Sequence, residues 1–550
     1  MNLQQRFQSG ILHHQAGRLI EAENVYREVL AQEPNHADAL HLLGVVVGQM
    51  GRLDESVELI RRAIVMLPNN AAYYGSLGNA LQDQRQLDDA IGAFRNAIRL
   101  RPDFAEAYNN LGNVLRDTRQ LDEAIASFRE AIRLRPDKAA AHSNLLAALY
   151  YDPRQDAGTI LDEHRRWDEL HAEPLRKAIQ PHANDRDPGR RLRVGYVSAD
   201  FCRHPVGLFM VPLLKHHDRR NVEVFCYSDV RTGDEITAKL RESAHVWRDI
   251  AGMADAPLAQ GIRTDQIDIL VDLSLHSAGN RLLVFARKPA PVQVTWLGYA
   301  GTTGLTSMDY RLTDPILDPP GTDQFYSEKS VRLPHTFWCY EPMDQTLQVG
   351  TLPAIENGYV TFGSFNNFAK VTSGAIELWA RILAGIARSH LMIHCPPGEA
   401  RARTISRFVR AGVGAGRVEF VDRKPLRDYL LQFNRVDIAL DPFPCGGGTS
   451  TCDALWMGVP TVTLRGHTAV GRGSASILSN VGLANWIADT PEQYMSIATE
   501  RAGDLAHLAE LRTGLRKKIE RSPLMDAARF AFDMEAAYRG KWENWCSEQR

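Results

Sequence analysis

The first third of the chain repeats itself every 34 residues, and this period constrains the fold more than any other feature of the sequence. Small residues at fixed phases let two antiparallel helices approach closely, a large apolar residue fills the space between repeats, and a proline ends the second helix. The period therefore predicts a helical solenoid. The recurring residues are Gly10, Gly44, Gly78 and Gly112; Ala22, Ser56, Ala90 and Ala124; Tyr26, Ile60, Phe94 and Phe128; and Pro34, Pro68, Pro102 and Pro136.

This pattern closely resembles the tetratricopeptide repeat. Leu146 replaces the glycine of the next period, so we expect the array to cover residues 1–150 and a helical linker to cover 151–189. A solenoid of this kind forms a concave groove that binds extended peptides, which predicts protein or peptide acceptors as partners. Asn110 and Asn144 share one phase and are candidates for binding an acceptor backbone, although hydrogen bonding between helices explains them equally well.

From Arg190 onward, short β-rich runs alternate with helical stretches. This alternation predicts two doubly wound lobes with parallel sheets, over residues 190–350 and 351–550, and a ligand crevice at the carboxyl ends of their strands. Residues 194–200 lack the G-x-G-x-x-G pattern that a dinucleotide-binding protein needs after its first strand. The predicted strands are 191–197, 222–228, 267–274, 292–297, 359–365, 390–395, 418–421, 436–440 and 461–464.

The composition excludes several classes of protein. The 64 basic and 66 acidic residues nearly balance, so the chain lacks the charge expected of a nucleic-acid-binding protein. Seven scattered cysteines form no C-x-x-C pair, which fits a reducing compartment. No apolar run approaches the length of a membrane span, and the first residues contain no apolar signal-peptide core. We expect a cytoplasmic protein without a membrane partner.

Residues 437–460 contain the most informative motif of the chain. A strand ends, three glycines allow a ligand to approach the backbone, three hydroxyl side chains follow, and a helix begins. The free N–H groups and the dipole of that helix predict a pyrophosphate site at Gly447, Gly448, Thr449 and Ser450. Asp453, one turn later, is a candidate to accept hydrogen bonds from a ribose. The alternative is a plain chain turn in which Thr449 or Ser450 caps the helix.

With this motif, the C-terminal two thirds resemble the O-linked N-acetylglucosamine transferase family, whose members also carry tetratricopeptide arrays. The resemblance implies a GT-B fold of two Rossmann-like lobes and an inverting transfer from UDP-N-acetylglucosamine to serine or threonine hydroxyls, without a metal ion or other cofactor. The matching stretches are LRVGYVSADF at 192–201 with His204 and Pro205, RKPAPVQVTWLGY at 287–299, FNNFAK at 365–370, and residues 437–460.

The resemblance also assigns roles near the donor. Lys370 matches the lysine that holds the diphosphate, and a fixed cation there would stabilise the charge that develops on the leaving group; a solvated loop lysine is the alternative. Asn367 stands where a glutamine of the family contacts the nucleotide. Tyr429 replaces a histidine that the animal enzymes place against the uracil, and Ala369 replaces a tyrosine beside the lysine. Thr449, Ser450 and Asp453 match the phosphate-binding hydroxyls and the ribose-binding acid.

Two histidines are candidates for the catalytic base. His204 matches the family histidine proposed as the base, and an imidazole that titrates near neutral pH can take a proton from an acceptor hydroxyl; contact with the sugar or the acceptor is an equal alternative. His276 also follows a predicted strand and is the second candidate, with a packed loop histidine as its alternative. The Asp185–Asp187 pair resembles a metal-binding D-x-D motif but precedes the first strand, so we interpret it as linker.

Two other functions stay open at this point. Plant members of similar layout imply a protein O-fucosyltransferase that uses GDP-fucose. A peptide-binding adaptor with a degenerate catalytic module is the alternative outside the enzymes, although the lysine, the hydroxyls and the acid are intact.

Overall fold

A computed structural model describes residues 2–547 of the chain. Its contacts divide into two compact units: Met1–Ala148 with Pro396–Ala402, and Leu149–Cys395 with Arg403–Arg550. Among residues 2–547, no helix combines the length and the apolar character needed to cross a bilayer.

The first unit consists of antiparallel helix pairs, as the 34-residue period predicts. Each phase glycine lies against the large residue of the second helix, because a Cβ atom at Gly78 would stand 2.5 Å from the Phe94 ring and one at Gly112 would stand 2.6 Å from the Phe128 ring. The predicted solenoid is confirmed. Its helices are α1 (Leu3–Gln15), α2 (Leu19–Gln32), α3 (Ala37–Gln49), α4 (Leu53–Met66), α5 (Ala71–Asp83), α6 (Leu87–Leu100), α7 (Ala105–Asp117), α8 (Leu121–Leu134) and α9 (Ala139–Leu149).

The prolines explain where the second helix of each pair ends. The residue before each proline has a φ angle between −140° and −132°, outside the helical region. The proline ring disfavours a helical conformation at the preceding residue, so the helix ends there. The residues concerned are Glu33, Leu67, Arg101 and Arg135.

The second unit contains two parallel sheets, so the predicted pair of α/β lobes is also confirmed. The sheet of the first lobe has seven strands in the order β3-β2-β1-β4-β5-β6-β7. Strands such as β4 are buried along their whole length, which fits a parallel sheet covered on both faces. The strands are β1 (Leu192–Ser198), β2 (Val222–Ser228), β3 (Val246–Asp249), β4 (Ile269–Asp272), β5 (Val292–Thr295), β6 (Tyr310–Thr313) and β7 (Lys329–Arg332).

The sheet of the second lobe has six strands in the order β10-β9-β8-β11-β12-β13. Its strands are β8 (Thr361–Ser364), β9 (His390–His394), β10 (Val418–Val421), β11 (Ile438–Leu440), β12 (Thr461–Leu464) and β13 (Ile487–Ala488). The remaining helices are α10 (Ala157–Trp167), α11 (Pro205–His216), α12 (Glu235–Ser243), α13 (Asp255–Thr264), α14 (Leu282–Phe285), α15 (Pro353–Asn357), α16 (Ser373–Gly385), α17 (Glu399–Arg410), α18 (Leu426–Gln432), α19 (Thr449–Trp456), α20 (Gly473–Asn480), α21 (Pro491–Gly503), α22 (Leu505–Glu520) and α23 (Ala527–Ser547).

Buried polar contacts join the two lobes. Ser476 on α20 donates a hydrogen bond to the Asp314 carboxylate that follows β6, with 2.6 Å between the oxygens. Arg472, just before α20, lies 3.3 Å from Asp318 and also donates to the carbonyl of Leu317. Removing one partner of a buried ion pair leaves an uncompensated charge, so these contacts stabilise the observed arrangement of the lobes.

Helix α23 belongs to the end of the chain but packs on the first lobe. Its Glu535 accepts hydrogen bonds from His217 Nδ1 and from the backbone N–H of Asp218, each at 2.8 Å. Tyr538 of the same helix lies 3.3 Å from the Tyr196 hydroxyl of β1. The first lobe is therefore completed by residues that follow the second lobe in sequence.

Candidate functional site

A glycine turn, residues 446–448, connects the region after β11 to helix α19. A carboxylate oxygen of Asp441 accepts the N–H of Gly447 at 2.8 Å, and the other accepts the hydroxyl of Thr463 at 2.8 Å. A Cβ atom on Gly447 would overlap the Thr451 hydroxyl, and one on Gly446 would stand 2.7 Å from Asp441. Glycine is required here because the backbone passes through a space that leaves no room for a side chain.

The start of α19 is open to a ligand. Its N-cap residue is Gly448, and no side chain of the described residues caps the helix there. Thr449 and Ser450 are the first two helical residues, so neither is the N-cap residue that the alternative interpretation requires. Unpaired N–H groups at a helix start, together with the helix dipole, form a site for an anion such as a pyrophosphate.

Lys370 reaches this turn from residues 368–370, a short 3-10 turn that follows β8. Its Nζ donates to the carbonyl of Gly446 at 2.7 Å, so the lysine is held at the turn rather than free in solvent. Burial alone lowers the pKa of Lys370, but nearby Cys445, Tyr151 and Asp441 outweigh burial and raise the pKa above its ordinary value. The side chain is therefore a cation at neutral pH. Asn367 is exposed beside it and accepts the N–H of Ala369 at 3.1 Å.

A short relay of side chains orients one of the two hydroxyls. Ser450 donates to Asn366 Oδ1 at 2.7 Å, and Asn366 Nδ2 lies 3.4 Å from Asp441 Oδ1. Burial raises the pKa of Asp441, and its hydrogen bonds oppose that effect. The sequence analysis missed Asn366 and Asp441, although both stand within the stretches that it quoted.

Asp453 lies on α19 with 3% of its surface exposed. Tyr340 donates to its Oδ1 at 3.0 Å, and Tyr429 donates to its Oδ2 at 3.3 Å. Burial raises the pKa of Asp453 to about 7, and the two tyrosine hydrogen bonds oppose the shift. The structure thus brings the predicted acid and Tyr429 together and adds Tyr340, which no motif of the sequence had indicated.

His204 begins helix α11 after the loop that follows β1. Its Nδ1 accepts the N–H of Val206 at 3.4 Å and lies 3.6 Å from Asp200. When Nδ1 accepts this hydrogen bond, the neutral ring carries its proton on Nε2, and this N–H can donate to a sugar or to the acceptor protein. To act as a base through Nε2, the ring must instead carry its proton on Nδ1, facing Asp200. Burial lowers the pKa of His204, and Asp200 opposes that shift.

Trp338 connects the helix of His204 to the glycine turn. Its ring lies 5.4 Å from that of Phe209 on α11, and a Cβ atom on Gly448 would stand 3.2 Å from the indole. The candidate site therefore lies between the two lobes, with the glycine turn on one side and α11 on the other. The sequence analysis did not single out Trp338.

His276 is packed in the interior of the first lobe. Its side chain is almost completely buried, and its Nε2 lies 2.8 Å from the carbonyl oxygen of Thr303. Its ring contacts those of His164 and Trp167, with ring centres 5.0 Å and 4.9 Å apart. This environment favours the packed loop histidine, because a base must reach the proton that it abstracts.

The asparagines of the array bond to one another. Asn110 Nδ2 donates to Asn79 at 2.9 Å, and Asn144 Nδ2 donates to Asn109 at 2.8 Å. Asn109 in turn donates to Asn110 at 3.1 Å. These contacts between neighbouring helices support the hydrogen-bonding interpretation of Asn110 and Asn144.

The Asp185–Asp187 pair shapes a turn. Asp185 accepts the N–H of Asp187 at 3.1 Å, and Asp187 accepts the N–H of Gly189 at 2.9 Å. The carboxylates bond to the local backbone, as expected of a linker.

Comparisons with known proteins agree with this geometry. A model of glycosyl transferase family 41 matches residues 166–349 and 343–534, and two tetratricopeptide repeat models match residues 13–80 and 76–151. In Petunia hybrida, the probable UDP-N-acetylglucosamine–peptide N-acetylglucosaminyltransferase SPINDLY is 39% identical over 73% of this chain and 44% of its own length. The UDP-N-acetylglucosamine–peptide N-acetylglucosaminyltransferase of Caenorhabditis elegans is 25% identical over 69% of this chain and 43% of its own length.

A solved structure is similar along the whole chain. It is a lysine-to-methionine variant of the Thermobaculum terrenum O-GlcNAc transferase, with 35% sequence identity and a TM-score of 0.81, and the match covers 100% of this chain and 98% of that chain. By contrast, this chain spans less than half the length of the curated relatives named above.

Proposed function

Because the chain belongs to glycosyl transferase family 41, we propose that it transfers N-acetylglucosamine from UDP-N-acetylglucosamine to serine and threonine hydroxyls of proteins. The observation that carries this proposal is the Lys370 ammonium held 2.7 Å from the Gly446 carbonyl, at the glycine turn that opens α19. The names of the relatives support this donor, and they give no support to GDP-fucose.

The donor's pyrophosphate binds at the open start of α19. The free N–H groups at the start of α19 and the Thr449 hydroxyl donate to the phosphate oxygens, and the Ser450 hydroxyl joins them when it turns away from Asn366 Oδ1, to which it donates in this structure. Lys370 stabilises the negative charge that grows on the diphosphate as it leaves. Asp453 accepts hydrogen bonds from the ribose. Tyr429, which donates to Asp453, and Asn367, which follows the Ser450 partner Asn366, contact the nucleoside.

The transfer is a single displacement with inversion. The acceptor oxygen attacks the anomeric carbon from the face opposite the diphosphate, a new carbon–oxygen bond forms, and the bond to the phosphate oxygen breaks with its electron pair leaving on UDP. The acceptor's proton goes to a base, for which His204 is the candidate on the first lobe. Asp200, 3.6 Å from its Nδ1, would stabilise the imidazolium that forms.

The repeat array binds the protein acceptor. Solenoid grooves of this kind bind extended peptides. We place the reaction in the cytoplasm, since all seven cysteines are free thiols and the fold needs no oxidising compartment. No metal is required, because Lys370 and the helix start take the role that a divalent cation has in other transferases.

The test offers the purified chain an acceptor protein with either UDP-N-acetylglucosamine or GDP-fucose, each with and without EDTA, and measures the acceptor's intact mass. We expect addition of N-acetylhexosamine from the UDP donor alone, unchanged by EDTA. Addition of fucose from GDP-fucose, or activity that is lost in EDTA and restored by manganese, would contradict the proposal. Peptide binding without turnover of either donor would leave the adaptor as the better description.

A further inference from the structure

Both oxygens of the Asp453 carboxyl group are already engaged in this structure. Tyr340 donates to one oxygen at 3.0 Å and Tyr429 donates to the other at 3.3 Å, in a setting where Asp453 is 3% exposed. A ribose hydroxyl that approaches this carboxyl group therefore meets a tyrosine hydroxyl that is already bound there.

The two tyrosines are held very differently. Tyr340 is 5% exposed, and its backbone N–H donates to the carbonyl of Leu524 at 2.7 Å. Its ring is enclosed near Phe209 of α11, with ring centres 6.3 Å apart. Movement of Tyr340 would break buried packing of both lobes, so this residue is fixed.

Tyr429 is only half-buried and lies on α18, a helix of seven residues. Its ring packs edge-on against Phe433 and Phe365, with ring centres 5.5 Å and 6.4 Å apart. The longer hydrogen bond and the partial exposure make Tyr429 the partner that a ligand can displace.

We propose that Tyr340 is a positioning residue that keeps the Asp453 carboxyl group oriented toward the donor nucleoside, and that the Tyr429 hydroxyl occupies the second carboxyl oxygen only until a ribose hydroxyl replaces it. This inference rests on the proposed function, since it assumes that a nucleotide binds at α19. Tyr429 then has two opposing effects: its ring offers a surface to the base, while its hydroxyl competes with the ribose.

The ionisation of Asp453 gives the positioning role a separate readout. A carboxylate accepts hydrogen bonds from ribose hydroxyls better than a neutral carboxylic acid does. The hydroxyl of Tyr340 opposes the rise in the pKa of Asp453 that burial causes. Without that hydroxyl, less of the carboxyl group is ionised near neutral pH.

Few other groups near Asp453 change charge in that range. The pKa values of Tyr340, Tyr429 and the neighbouring Cys452 are raised well above their ordinary values by burial, so these groups stay neutral. Arg516, which lies close enough to act on Tyr340, stays a cation. Asp453 is therefore the group in this cluster whose ionisation changes the binding of a nucleotide.

The experiment measures UDP binding by calorimetry for the full chain and for Tyr429→Phe, Tyr340→Phe and Tyr227→Phe. Tyr227 is the matched control, because it is a buried tyrosine of the first lobe whose hydroxyl donates to Asp265 at 2.8 Å. At about pH 8.5, where the Asp453 carboxyl group is ionised, Tyr429→Phe should bind UDP about two- to tenfold more tightly, since the ring stays and one competing hydrogen bond is lost. This gain should shrink toward about pH 6.5, because the Tyr429 hydroxyl also opposes the rise in the pKa of Asp453. Tyr340→Phe should bind about tenfold more weakly at about pH 6.5, and the deficit should shrink toward about pH 8.5.

Weaker binding by Tyr429→Phe at about pH 8.5 would overturn the competition, because the hydroxyl would then contact the nucleotide directly. The Tyr429→Phe measurement still tests the competition if Tyr340→Phe does not fold. A folded Tyr340→Phe with unchanged affinity, or with a deficit that is constant across pH, would overturn the positioning role. A wild-type chain that binds GDP but not UDP refutes the proposed donor alone, and the same variants measured with GDP then decide this inference; binding of neither nucleotide refutes both.

Discussion

The repeat array and the second lobe both depend on glycines, but for different reasons. In the array, Gly78 and Gly112 make room for an aromatic ring that stands sixteen residues later at a fixed phase, so the contact is local and recurs. In the glycine turn, Gly447 makes room for Asp441 and Thr451, and Lys370, from the segment that follows β8, contacts the carbonyl of Gly446. The need for glycine in the array can be predicted from the sequence because it recurs in every repeat. The need for glycine in the turn depends on contacts between distant segments.

The difference implies that stability and chemistry can be changed separately in the two regions. Substitutions in the array should change its unfolding and leave nucleotide binding intact, and substitutions at the turn should do the reverse.

Lys370→Ala should have the largest effect on activity. Loss of the cation that stabilises the departing diphosphate should lower kcat by about 10²- to 10³-fold, comparable to removal of a donor that stabilises an oxyanion. The thermal unfolding of the array should not change. Lys424→Ala, an exposed lysine of the second lobe, is the control and should leave kcat intact. A Lys370→Ala variant with nearly normal kcat would show that the lysine only holds the Gly446 carbonyl.

Asp453→Asn should change how the stability of the second unit depends on pH. The pKa of Asp453 is raised to about 7 in the folded chain, from its ordinary value of 3.8. The stabilisation that the protonated Asp453 carboxyl group provides is therefore fully present below the pKa of this group in the unfolded chain. It is lost as the pH rises through the pKa of the group in the folded chain. From about pH 5 to about pH 8, the wild type should lose about 2–3 kcal/mol of unfolding free energy relative to Asp453→Asn. Denaturant titrations at several pH values measure this, and parallel curves would show that Asp453 ionises normally.

Gly78→Ala and Gly447→Ala test the comparison of glycines directly. The added methyl group at Gly78 meets the Phe94 ring at 2.5 Å, and such overpacking should cost the array about 1–3 kcal/mol. UDP affinity should not change in that variant. Gly447→Ala should weaken UDP binding by about tenfold or more, because the methyl group distorts the turn that receives the phosphates.

Gly92→Ala is the matched control for these two variants. Gly92 lies inside α6 with no neighbouring atom within 4 Å of the added methyl group. It should stabilise the array by about 0.5–1 kcal/mol, because alanine restricts the unfolded chain. Loss of UDP affinity in Gly78→Ala, with the chain still folded, would contradict the separation of the two regions.

Asn144→Ala should have the smallest effect. Removal of its hydrogen bond to Asn109 should lower the array's unfolding free energy by about 1 kcal/mol. Binding of an acceptor peptide, measured by fluorescence anisotropy, should change by less than about twofold. A larger loss of peptide binding without a loss of stability would favour the peptide-contact role of Asn144 instead.

The sequence predicted most of the central strands and missed three of the four edge strands, β3, β7 and β13, together with β6, which lies inside the first sheet. The fourth edge strand, β10, was predicted at its observed bounds. Strand β2 was predicted at its observed bounds, and the central β1, β4, β8 and β11 each lie within about two residues of a predicted run. Strands β3, β6, β7 and β13 were not predicted. They are short, and β3 and β7 carry charged residues because edge strands are covered on fewer sides.

The candidate site was predicted only where its residues share one segment. Residues 447–453 form a motif that can be recognised in the sequence. The roles that the family resemblance assigns to other residues, such as Lys370, stay predictions until a nucleotide is bound. Tyr340 and Trp338 reach the site from the connection between the lobes, and Asn366 acts through Ser450. No spacing rule relates such positions, because they meet only when both lobes are folded.

Helix α23 has a consequence for how the chain is made. The last strand of the first lobe ends at Arg332, and the helix that completes this lobe begins at Ala527, 195 residues later. At roughly 5 to 20 residues per second, a ribosome needs on the order of 10 to 40 s to cover that distance. During this interval His217 and Tyr196 lack Glu535 and Tyr538, and the Trp296 ring lacks Phe530, so the first lobe emerges with polar and apolar side chains uncovered. We expect the nascent first lobe to be a substrate for chaperones, and the second lobe to fold before the first is complete.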